Sequence, residues 1–347
     1  MDFLYTRNKY LISELFENKN ILITGGTGSF GNKLIEVLLN ETNCNKIIIF
    51  SRDEFKQYHM QKKFANFNNS DRLRYFIGDI RDYNRLEEAF SNVDIVFHAA
   101  ALKHVPIIEY NPNEAVKTNI YGTENVVKAA IKCKVKKVIA LSTDKCVSPA
   151  NMYGATKLCL EKLVIAGNHM SGNKVQCSVL RYGNVFASRG SVVPLFINQA
   201  KKGEITVTDK KMTRFTLLLD EAINFVLDCA INMLGGEIFI PKLPSYNICQ
   251  LAKVIDPKSK IKEIGIRPGE KLHESMIGEY ESYLTIDCED KYVVTPILES
   301  SREIDYKKKY GNKFCDSGYV YSSDKNELIS DERLKKMIEL YKDELNQ

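Results

Sequence analysis

Residues 20–31 read NILITGGTGSFG, so a short apolar run leads directly into glycines at every third position. Gly25, Gly28 and Gly31 allow the backbone to turn tightly at the end of a strand and to approach a ligand closely at the start of a helix. The N–H groups at such a helix start attract a pyrophosphate. No Gly-Lys-Ser or Gly-Lys-Thr follows, which excludes the phosphate loop of an NTPase. The stretch predicts a dinucleotide site, with a glycine-rich structural turn as the alternative.

Beyond this turn, short apolar runs alternate with helical patterns. The runs that predict strands are 46–50, 73–77, 93–98, 137–142 and 176–181, and the helical patterns include 83–90, 113–133 and 153–167. Strands of this apolar character have no face suited to water, which indicates a parallel sheet covered by helices on both sides. The predicted fold class is α/β, a Rossmann-type doubly wound parallel sheet.

The alternation becomes irregular after Gly183, where we predict a smaller, interleaved substrate-binding lobe. The predicted division is an N-terminal extension over 1–18, an NADP-binding domain over 19–184 and about 215–241, a substrate lobe over 185–214 and 242–300, and a C-terminal tail over 301–347. A short helix is expected over 10–16. An amphipathic helix near 332–345 should let the tail pack on the body or on a partner subunit.

Composition excludes several classes of protein. The chain has 347 residues, of which 44% are hydrophobic and 27% charged, values typical of a globular enzyme. The net charge of +5 comes from scattered basic residues, so we expect no nucleic-acid partner. No apolar run approaches the roughly 20 residues of a membrane span. The nine cysteines form no CxxC pair, which predicts reduced thiols, no metal site and a cytoplasmic location.

The end of the second predicted strand distinguishes NADP from NAD. An acidic residue there would bind the ribose 2′-hydroxyl, whereas Arg or Lys would meet a 2′-phosphate. Arg52 and Lys56 favour NADP, while Asp53 keeps NAD open and a solvated loop is the plain alternative. Asp79 with Ile80 would flank the adenine. Ala99, Ala100 and Ala101 would pass beneath the phosphates and ribose, where small residues are needed.

Tyr153 and Lys157 lie four residues apart on one predicted helix face. A free tyrosine has a pKa of about 10, and a nearby cation favours its anion, so the pair could remove a hydroxyl proton during hydride transfer. The same spacing also arises by chance on exposed helices. The segment 141–145, at the carboxyl end of the fifth strand, lies where open α/β sheets bind their ligands and supports the catalytic interpretation.

Three motifs, TGGTGSFG (24–31), HAAA (98–101) and YGATK (153–157), resemble those of the extended short-chain dehydrogenases/reductases. Within that family the chain is similar to the soluble, inverting UDP-N-acetylglucosamine 4,6-dehydratases. The motifs that carry this closer resemblance are SRDE (51–54), ALKHVP (101–106), STDK (142–145), RYGNV (181–185), SRGSVVP (188–194), MTRF (212–215) and RPGEKLHE (267–274). The resemblance covers about residues 19–296.

This resemblance implies oxidation of the sugar at C4, loss of the C5 proton with the 6-hydroxyl, and return of the hydride to C6. Tyr153 with Lys157 would serve the oxidation, and Thr143 would hold the C4 oxygen. Asp144 would protonate the departing hydroxyl, and Lys145 would remove the C5 proton. Inversion at C5 follows from the resemblance alone.

A lysine must be neutral to act as a base. We therefore expect burial near other cations, including Lys157, to lower the pKa of Lys145. A surface ion pair between Asp144 and Lys145 is the structural alternative. Retaining sugar-nucleotide dehydratases have Asp-Glu at these two positions.

The residue patterns described above and the resemblance together give the full sets of predicted site residues. The predicted cofactor-binding residues are Gly25, Thr27, Gly28, Ser29, Phe30, Gly31, Ser51, Arg52, Asp53, Lys56, Asp79, Ile80, Ala99, Ala100, Ala101, Lys103, Asn119, Ser142, Tyr153, Lys157 and Tyr182. The predicted substrate-binding residues are Lys103, Thr143, Asn184, Arg189, Val193, Pro194, Thr208, Arg214, Arg267 and Glu274. Asn184 and the three arginines would bind the diphosphate of UDP-N-acetylglucosamine, and Glu274 would accept a bond from the uridine ribose.

Two other enzymes remain as alternatives, a retaining UDP-sugar 4,6-dehydratase and an NAD-dependent UDP-hexose 4-epimerase. An epimerase needs no C5 base, so Lys145 is the discriminating residue. A nucleotide-sensing scaffold would be expected to have lost Tyr153 or Lys157. We expect NADP to be tightly bound and recycled, and the chain to form homo-oligomers such as a dimer or hexamer.

Overall fold

The computed structural model describes residues 5–188, 191–297 and 303–346. The strands of these residues, in chain order, are β1 (Asn20–Thr24), β2 (Lys46–Ser51), β3 (Leu73–Ile77), β4 (Ile95–His98), β5 (Lys137–Leu141), β6 (Gln176–Leu180), β7 (Asn184–Val185), β8 (Glu204–Val207), β9 (Thr213–Leu217), β10 (Ile238–Pro241), β11 (Ser245–Asn247), β12 (Lys260–Glu263), β13 (Ser275–Ile277), β14 (Thr285–Asp287), β15 (Lys291–Val294) and β16 (Tyr321–Ser322).

The α-helices of the same residues are α1 (Lys9–Phe16), α2 (Ser29–Glu41), α3 (Glu54–Phe64), α4 (Tyr83–Ala89), α5 (Val105–Tyr110), α6 (Pro112–Ala115), α7 (Gly122–Lys132), α8 (Met152–Met170), α9 (Val192–Ala200), α10 (Leu219–Asn232), α11 (Ile248–Ile255), α12 (Glu303–Tyr310) and α13 (Asp331–Asn346). Tight helical turns lie at Ser70–Arg72, Asp144–Cys146 and Glu279–Leu284.

The main body is a nine-stranded sheet in the order β14-β15-β10-β6-β5-β4-β1-β2-β3. Strands β1 to β6 and β10 run parallel, and β15 and β14 add an antiparallel edge. Chain order reverses between β1 and β4, which is where sheets of this kind bind ligands. The predicted Rossmann-type α/β fold is confirmed.

Helix α2 illustrates why the glycine-rich stretch continues as a helix. Leu34, Ile35, Leu38 and Leu39 recur at helical spacing and are buried in the core beside the sheet. Burial of each such side chain contributes about 1.5–3 kcal/mol relative to exposure. The N-terminus of α2 is thereby held at the end of β1, where the glycines turn.

The helix predicted over 113–133 is interrupted. Its path consists of α6, a π-helical turn at Val116–Tyr121, and then α7. The extra residue of a π-turn rotates the side chains that follow, and such turns are frequent at functional sites. Asn119 lies within this turn and reaches the loop after β4.

A second hydrophobic core lies in the smaller lobe. It is formed by buried side chains of α9, β8, α11 and α13, such as Val193, Phe196, Leu251 and Leu334. Strands β8 and β12 pair in parallel, and β7, β9 and β11 form a separate three-stranded sheet. The predicted amphipathic helix near 332–345 is α13, and it packs on α11 within this lobe.

The structure changes two of the predicted boundaries. Strands β14 and β15 pair with β10 in the main sheet, whereas the sequence assigned 242–300 to the substrate lobe. The N-terminal extension also belongs to the main body, because Tyr5, Ile12 and Phe16 are buried in its core. These long-range pairings leave no periodic signal in the sequence.

Among the described residues, no helix has the length and apolar character needed to cross a membrane.

Candidate active site

The glycine turn after β1 forms a backbone cradle without side chains. Gly25 has a φ of 66°, and a Cβ there would lie 2.8 Å from Ala100 Cα. A Cβ on Gly31 would lie 2.1 Å from the carbonyl oxygen of Gly26. Gly28 is the N-cap residue of α2, so free N–H groups of the helix start face the same space. The geometry fits a pyrophosphate, as the sequence predicts.

The end of β2 carries two cations, Arg52 and Lys56, and each lies beside a carboxylate. The Asp53 carboxylate caps α3 by accepting from Lys56 N at 2.9 Å, and it also pairs with Lys56 Nζ at 3.1 Å. These bonds lower the pKa of Asp53. The Arg52 side chain is 51% exposed, and its Nη1 lies 3.6 Å from Asp79 Oδ2. Ser51 Oγ accepts a bond from Gln57.

The loop after β4 is held from below by Asn119. Its amide oxygen accepts from Leu102 N at 2.8 Å, and its amide nitrogen donates to Leu102 O at 2.9 Å and to Thr156 Oγ1 at 3.0 Å. The predicted cofactor ligand Asn119 is thus placed as a support for residues 99–102. Ile80 is buried against Gly122 of α7.

Three predicted catalytic residues meet directly after β5. Thr143 Oγ1 donates to Asp144 Oδ1 at 2.9 Å, and Lys145 Nζ donates to the same oxygen at 3.0 Å. The Asp144 side chain is 1% exposed, and Oδ2 accepts no hydrogen bond from any described residue. A buried carboxylate oxygen without a partner is costly unless a ligand supplies one. The surface ion pair considered from the sequence is excluded.

Lys145 lies among carboxylates, and the prediction of a lowered pKa is wrong. Its Nζ contacts Asp144 and also lies 3.4 Å from Glu274 Oε1. Burial by itself lowers the pKa of Lys145, but the two carboxylates outweigh burial and raise it above the usual range. Arg214 is the cation that opposes them. Lys145 is protonated in this structure near neutral pH.

Tyr153 and Lys157 both lie on α8, whose N-cap Asn151 accepts from Gly154 N at 2.8 Å. Burial raises the pKa of Tyr153 to about 12, with the Lys145 cation acting in the opposite direction. Burial lowers the pKa of Lys157 to about 8, and its Nζ donates to Leu141 O at 2.5 Å. The cation that lowers the pKa of the Tyr153 phenol most is therefore Lys145, whereas the sequence predicted Lys157.

Beneath this cluster lies a buried ion pair that sequence reasoning missed. Arg181 donates to both carboxylate oxygens of Glu161 at 2.9 and 2.7 Å and also binds Glu281. Arg181 and Glu161 side chains are 1% and 0% exposed. Cys146 Sγ lies 2.9 Å from the same Glu161. The arginine of the RYGNV motif is visible in the sequence, but no neighbouring residue indicates that it pairs with Glu161 and Glu281.

The predicted substrate residues differ in their burial and in the partners that they contact. Asn184 Oδ1 is buried and accepts no hydrogen bond from any described residue, which suits a ligand contact. Thr208 donates to Met212, and Val193 is buried in the lobe core next to Pro194. Arg267 is 56% exposed and lies near Glu270. Arg189 lies outside the described residues.

Arg214 and Glu274, two further predicted substrate residues, are both buried. Arg214 donates three bonds to the carbonyl oxygens of Thr213, Leu272 and Lys271, and its Nε lies 4.0 Å from Glu274. Glu274 is 3% exposed and faces Lys145 at the base of the catalytic cluster. The packing of β13 beside the turn at Asp144–Cys146 brings the two together. Glu274 thus contacts Lys145 and Arg214, and its contact with the uridine ribose stays a prediction.

Residues 21–296 match the model of a family described as polysaccharide biosynthesis protein. The chain belongs to this polysaccharide biosynthesis family. A family relative from Campylobacter jejuni subsp. jejuni serotype O:23/36 (strain 81-176), named UDP-N-acetylglucosamine 4,6-dehydratase (inverting), is 51% identical over 92% of this chain and 96% of its own length. The resemblance found from the sequence motifs is confirmed.

Two further matches extend the comparison within the family. A protein of Rickettsia massiliae (strain Mtu5), named UDP-glucose 4-epimerase, is 44% identical over 93% of this chain and 96% of its own length. The X-ray structure of Pen from Bacillus thuringiensis has a TM-score of 0.84 at 40% identity, covering 94% of this chain and 98% of Pen. The fold is thus shared over nearly the whole chain, while the relatives carry more than one activity name.

Proposed function

We propose that this protein is a UDP-N-acetylglucosamine 4,6-dehydratase that inverts C5. The observation that carries the proposal is the buried contact of Asp144 with Lys145 beside Tyr153 at the carboxyl end of β5. This contact provides an acid and a base for removing water across C5 and C6. The relative with 51% identity bears the name of this activity, and inversion rests on that similarity.

One proton transfer prepares both groups. Lys145 Nζ and Asp144 Oδ1 are 3.0 Å apart, so passage of a proton from the ammonium to the carboxylate leaves a neutral amine and a neutral acid. The amine then takes the C5 proton of the sugar. The acid gives its proton to the 6-hydroxyl, which leaves as water. The original ion pair is restored, so this step balances without another donor.

Tyr153 removes the proton of the C4 hydroxyl during the oxidation. Its raised pKa means that the phenol needs a positive neighbour to act as a base. Lys145 supplies that charge in the resting state, and Lys157 adds to it when protonated. Thr143, bonded to Asp144, lies where it can donate to the C4 oxygen.

The glycine cradle and the end of β2 fit a nicotinamide dinucleotide, which we propose to be NADP. When bound, it supplies the hydride acceptor for C4 and the hydride donor for C6. Residues 25–31 would hold the pyrophosphate, and Arg52 the 2′-phosphate. An NAD site would use Asp53 to bind the ribose 2′-hydroxyl, but this carboxylate already binds Lys56 and the start of α3. This arrangement favours NADP over NAD.

A UDP-hexose 4-epimerase is the second candidate, favoured by the name of the Rickettsia relative. Epimerisation at C4 requires oxidation and reduction by Tyr153 and the cofactor only. Epimerisation therefore needs no buried acid and no second base besides the Tyr153 phenol. The dehydratase explains Asp144 and Lys145, and the epimerase does not.

The test is incubation with UDP-N-acetylglucosamine in deuterated water without added cofactor, followed by proton NMR. We expect a C6 methyl group, deuterium at C5 and couplings of the L-arabino product. Heat-released dinucleotide, identified by mass, should be NADP. Lys145→Met should slow methyl formation by about 10²–10⁴-fold, because it removes the base.

Lys136→Met is the matched control, since Lys136 is 64% exposed at the start of β5 and pairs only with Asp94 among the described residues. It should retain the wild-type rate. A methyl product of D-configuration would contradict inversion. UDP-N-acetylgalactosamine as sole product would establish the epimerase instead.

A further inference from the structure

Glu274 is a buried carboxylate surrounded by three cations. Its Oε1 lies 3.4 Å from Lys145 and 4.0 Å from Arg214 Nε, and its Oε2 lies 3.8 Å from Lys271 Nζ. Oε2 accepts no hydrogen bond from any described residue. The position of Glu274 among these cations lets it contact the Lys145 side chain from a segment far from Asp144 in sequence.

The backbone on either side of this carboxylate is held firmly. Glu274 N donates to Ser323 Oγ at 3.0 Å, and Ser323 N donates back to Glu274 O at 2.8 Å. Lys271 Nζ donates to Val147 O at 2.6 Å, which ties the preceding segment to the turn that carries Lys145. The carboxylate therefore has a defined position relative to the Lys145 side chain.

Lys145 thus contacts two carboxylates that are not equivalent. Asp144 is adjacent in sequence and takes up and releases the proton in the proposed elimination. Glu274 is distant in the chain and lies slightly farther from Lys145, at 3.4 Å. When Asp144 carries the proton, Glu274 is the remaining anion beside Lys145, and it faces the new ammonium as the C5 proton arrives.

We infer that Glu274 is a positioning residue that holds the Lys145 side chain in place and stabilises the ammonium formed when Lys145 removes the C5 proton. This inference rests on the proposed function of Lys145 as the C5 base. Because a paired cation is more stable than an unpaired one, loss of Glu274 should weaken the base as well as loosen it. The role differs from a contact with the ribose of the substrate.

The pH dependence should report this role. In the proposed elimination the Lys145 ammonium is the source of the proton that Asp144 delivers, so loss of that proton to solvent at high pH ends activity and sets the alkaline limb of the rate profile. The carboxylates hold the pKa of Lys145 above its usual range, so removing one of them should move that limb to lower pH. The titratable or charged groups that act on Lys145 from the packed elements are Asp144, Tyr153, Arg214, Tyr246 and Glu274. Only the last is changed in the test.

The experiment measures kcat and KM for methyl formation, together with deuterium incorporation at C5, as functions of pH. For Glu274→Gln we expect the alkaline limb to shift down by about one pH unit or more and kcat on the plateau to fall about 10–100-fold. KM should change less than about 3-fold, because the substrate is not contacted. Glu274→Asp should restore most of the limb position, because it retains the charge. Glu263→Gln, on the exposed strand β12, is the control and should match wild type.

The following results would overturn the inference. A fall in kcat without movement of the limb would mean a structural role only. A raised KM with unchanged kcat would mean that Glu274 binds the substrate. If wild-type protein forms no methyl product, the proposed function fails and the inference fails with it, whereas a normal wild-type product with an unshifted Glu274→Gln profile overturns the inference alone.

Discussion

Lys145 lies between two carboxylates that come from different parts of the chain. The adjacent Asp144 is visible in the sequence, and their contact follows from the turn after β5. Glu274 is distant in the chain, and its approach reverses the sign of the field at Lys145. The proposed base is therefore charged at rest and requires transfer of a proton to Asp144 before it acts.

Lys157 carries a prediction about stability. Its folded pKa of about 8 lies below the ordinary lysine value of 10.5, because burial disfavours the charge. Between these values the unfolded chain binds more protons than the folded protein, so the unfolding free energy rises with pH across that window. Relative to Lys157→Met, wild type should gain about 2–3 kcal/mol between about pH 8 and pH 10.5.

Urea unfolding of both proteins across this range measures the difference. Lys162→Met, on the exposed face of the same helix, is the control and should show no such trend against wild type. A difference that stays constant with pH would show that Lys157 keeps an ordinary pKa in the folded protein.

At the scale of elements, the contact between α8 and the Asp144–Cys146 turn requires a glycine. A Cβ on Gly154 would lie 2.1 Å from the backbone oxygen of Lys145, and backbone atoms yield less readily than side chains. Gly154→Ala should therefore push α8 from the turn, despite the better helix propensity of alanine. We expect a loss of about 1–3 kcal/mol in stability and at least a 10-fold lower kcat, because Tyr153 and Lys145 move apart.

Thermal unfolding and steady-state kinetics test this expectation. Lys162→Ala changes the same helix at an exposed position and should leave both nearly unchanged. Full activity of Gly154→Ala would contradict the prediction, because it would show that catalysis does not depend on this contact between α8 and the turn.

At the scale of the whole molecule, the Glu161–Arg181 pair joins α8 to β6 and, through Glu281, to the turn at Glu279–Leu284. Arg181→Met would leave Glu161 buried without its main counter-charge. We expect a loss of about 3–5 kcal/mol in urea unfolding, since an unpaired buried charge is strongly destabilising. Glu161→Gln in the Arg181→Met background should recover part of this loss.

The pair also predicts acid sensitivity. Burial raises the pKa of Glu161, but Arg181 and its hydrogen bonds outweigh burial and lower it. The stabilisation is thus present above the unfolded glutamate pKa and is lost as pH falls through the lower folded value.

The control for Arg181→Met is Lys128→Met, which breaks the exposed pair with Glu124 and should cost less than about 1 kcal/mol. A similarly small cost for Arg181→Met would contradict the structural role of the buried pair.

Local patterns were sufficient for the parallel strands of the sheet, the glycine turn and the Asp144–Lys145 contact, because each depends on neighbours within one strand or turn. Packing between distant segments decided the rest. The edge strands β14 and β15 joined the main sheet, and α13 completed the core of the smaller lobe. The same packing placed Glu274 beside Lys145. Charge neighbours across lobes depend on tertiary contacts that no residue spacing encodes, and the pKa of a buried group depends on those neighbours.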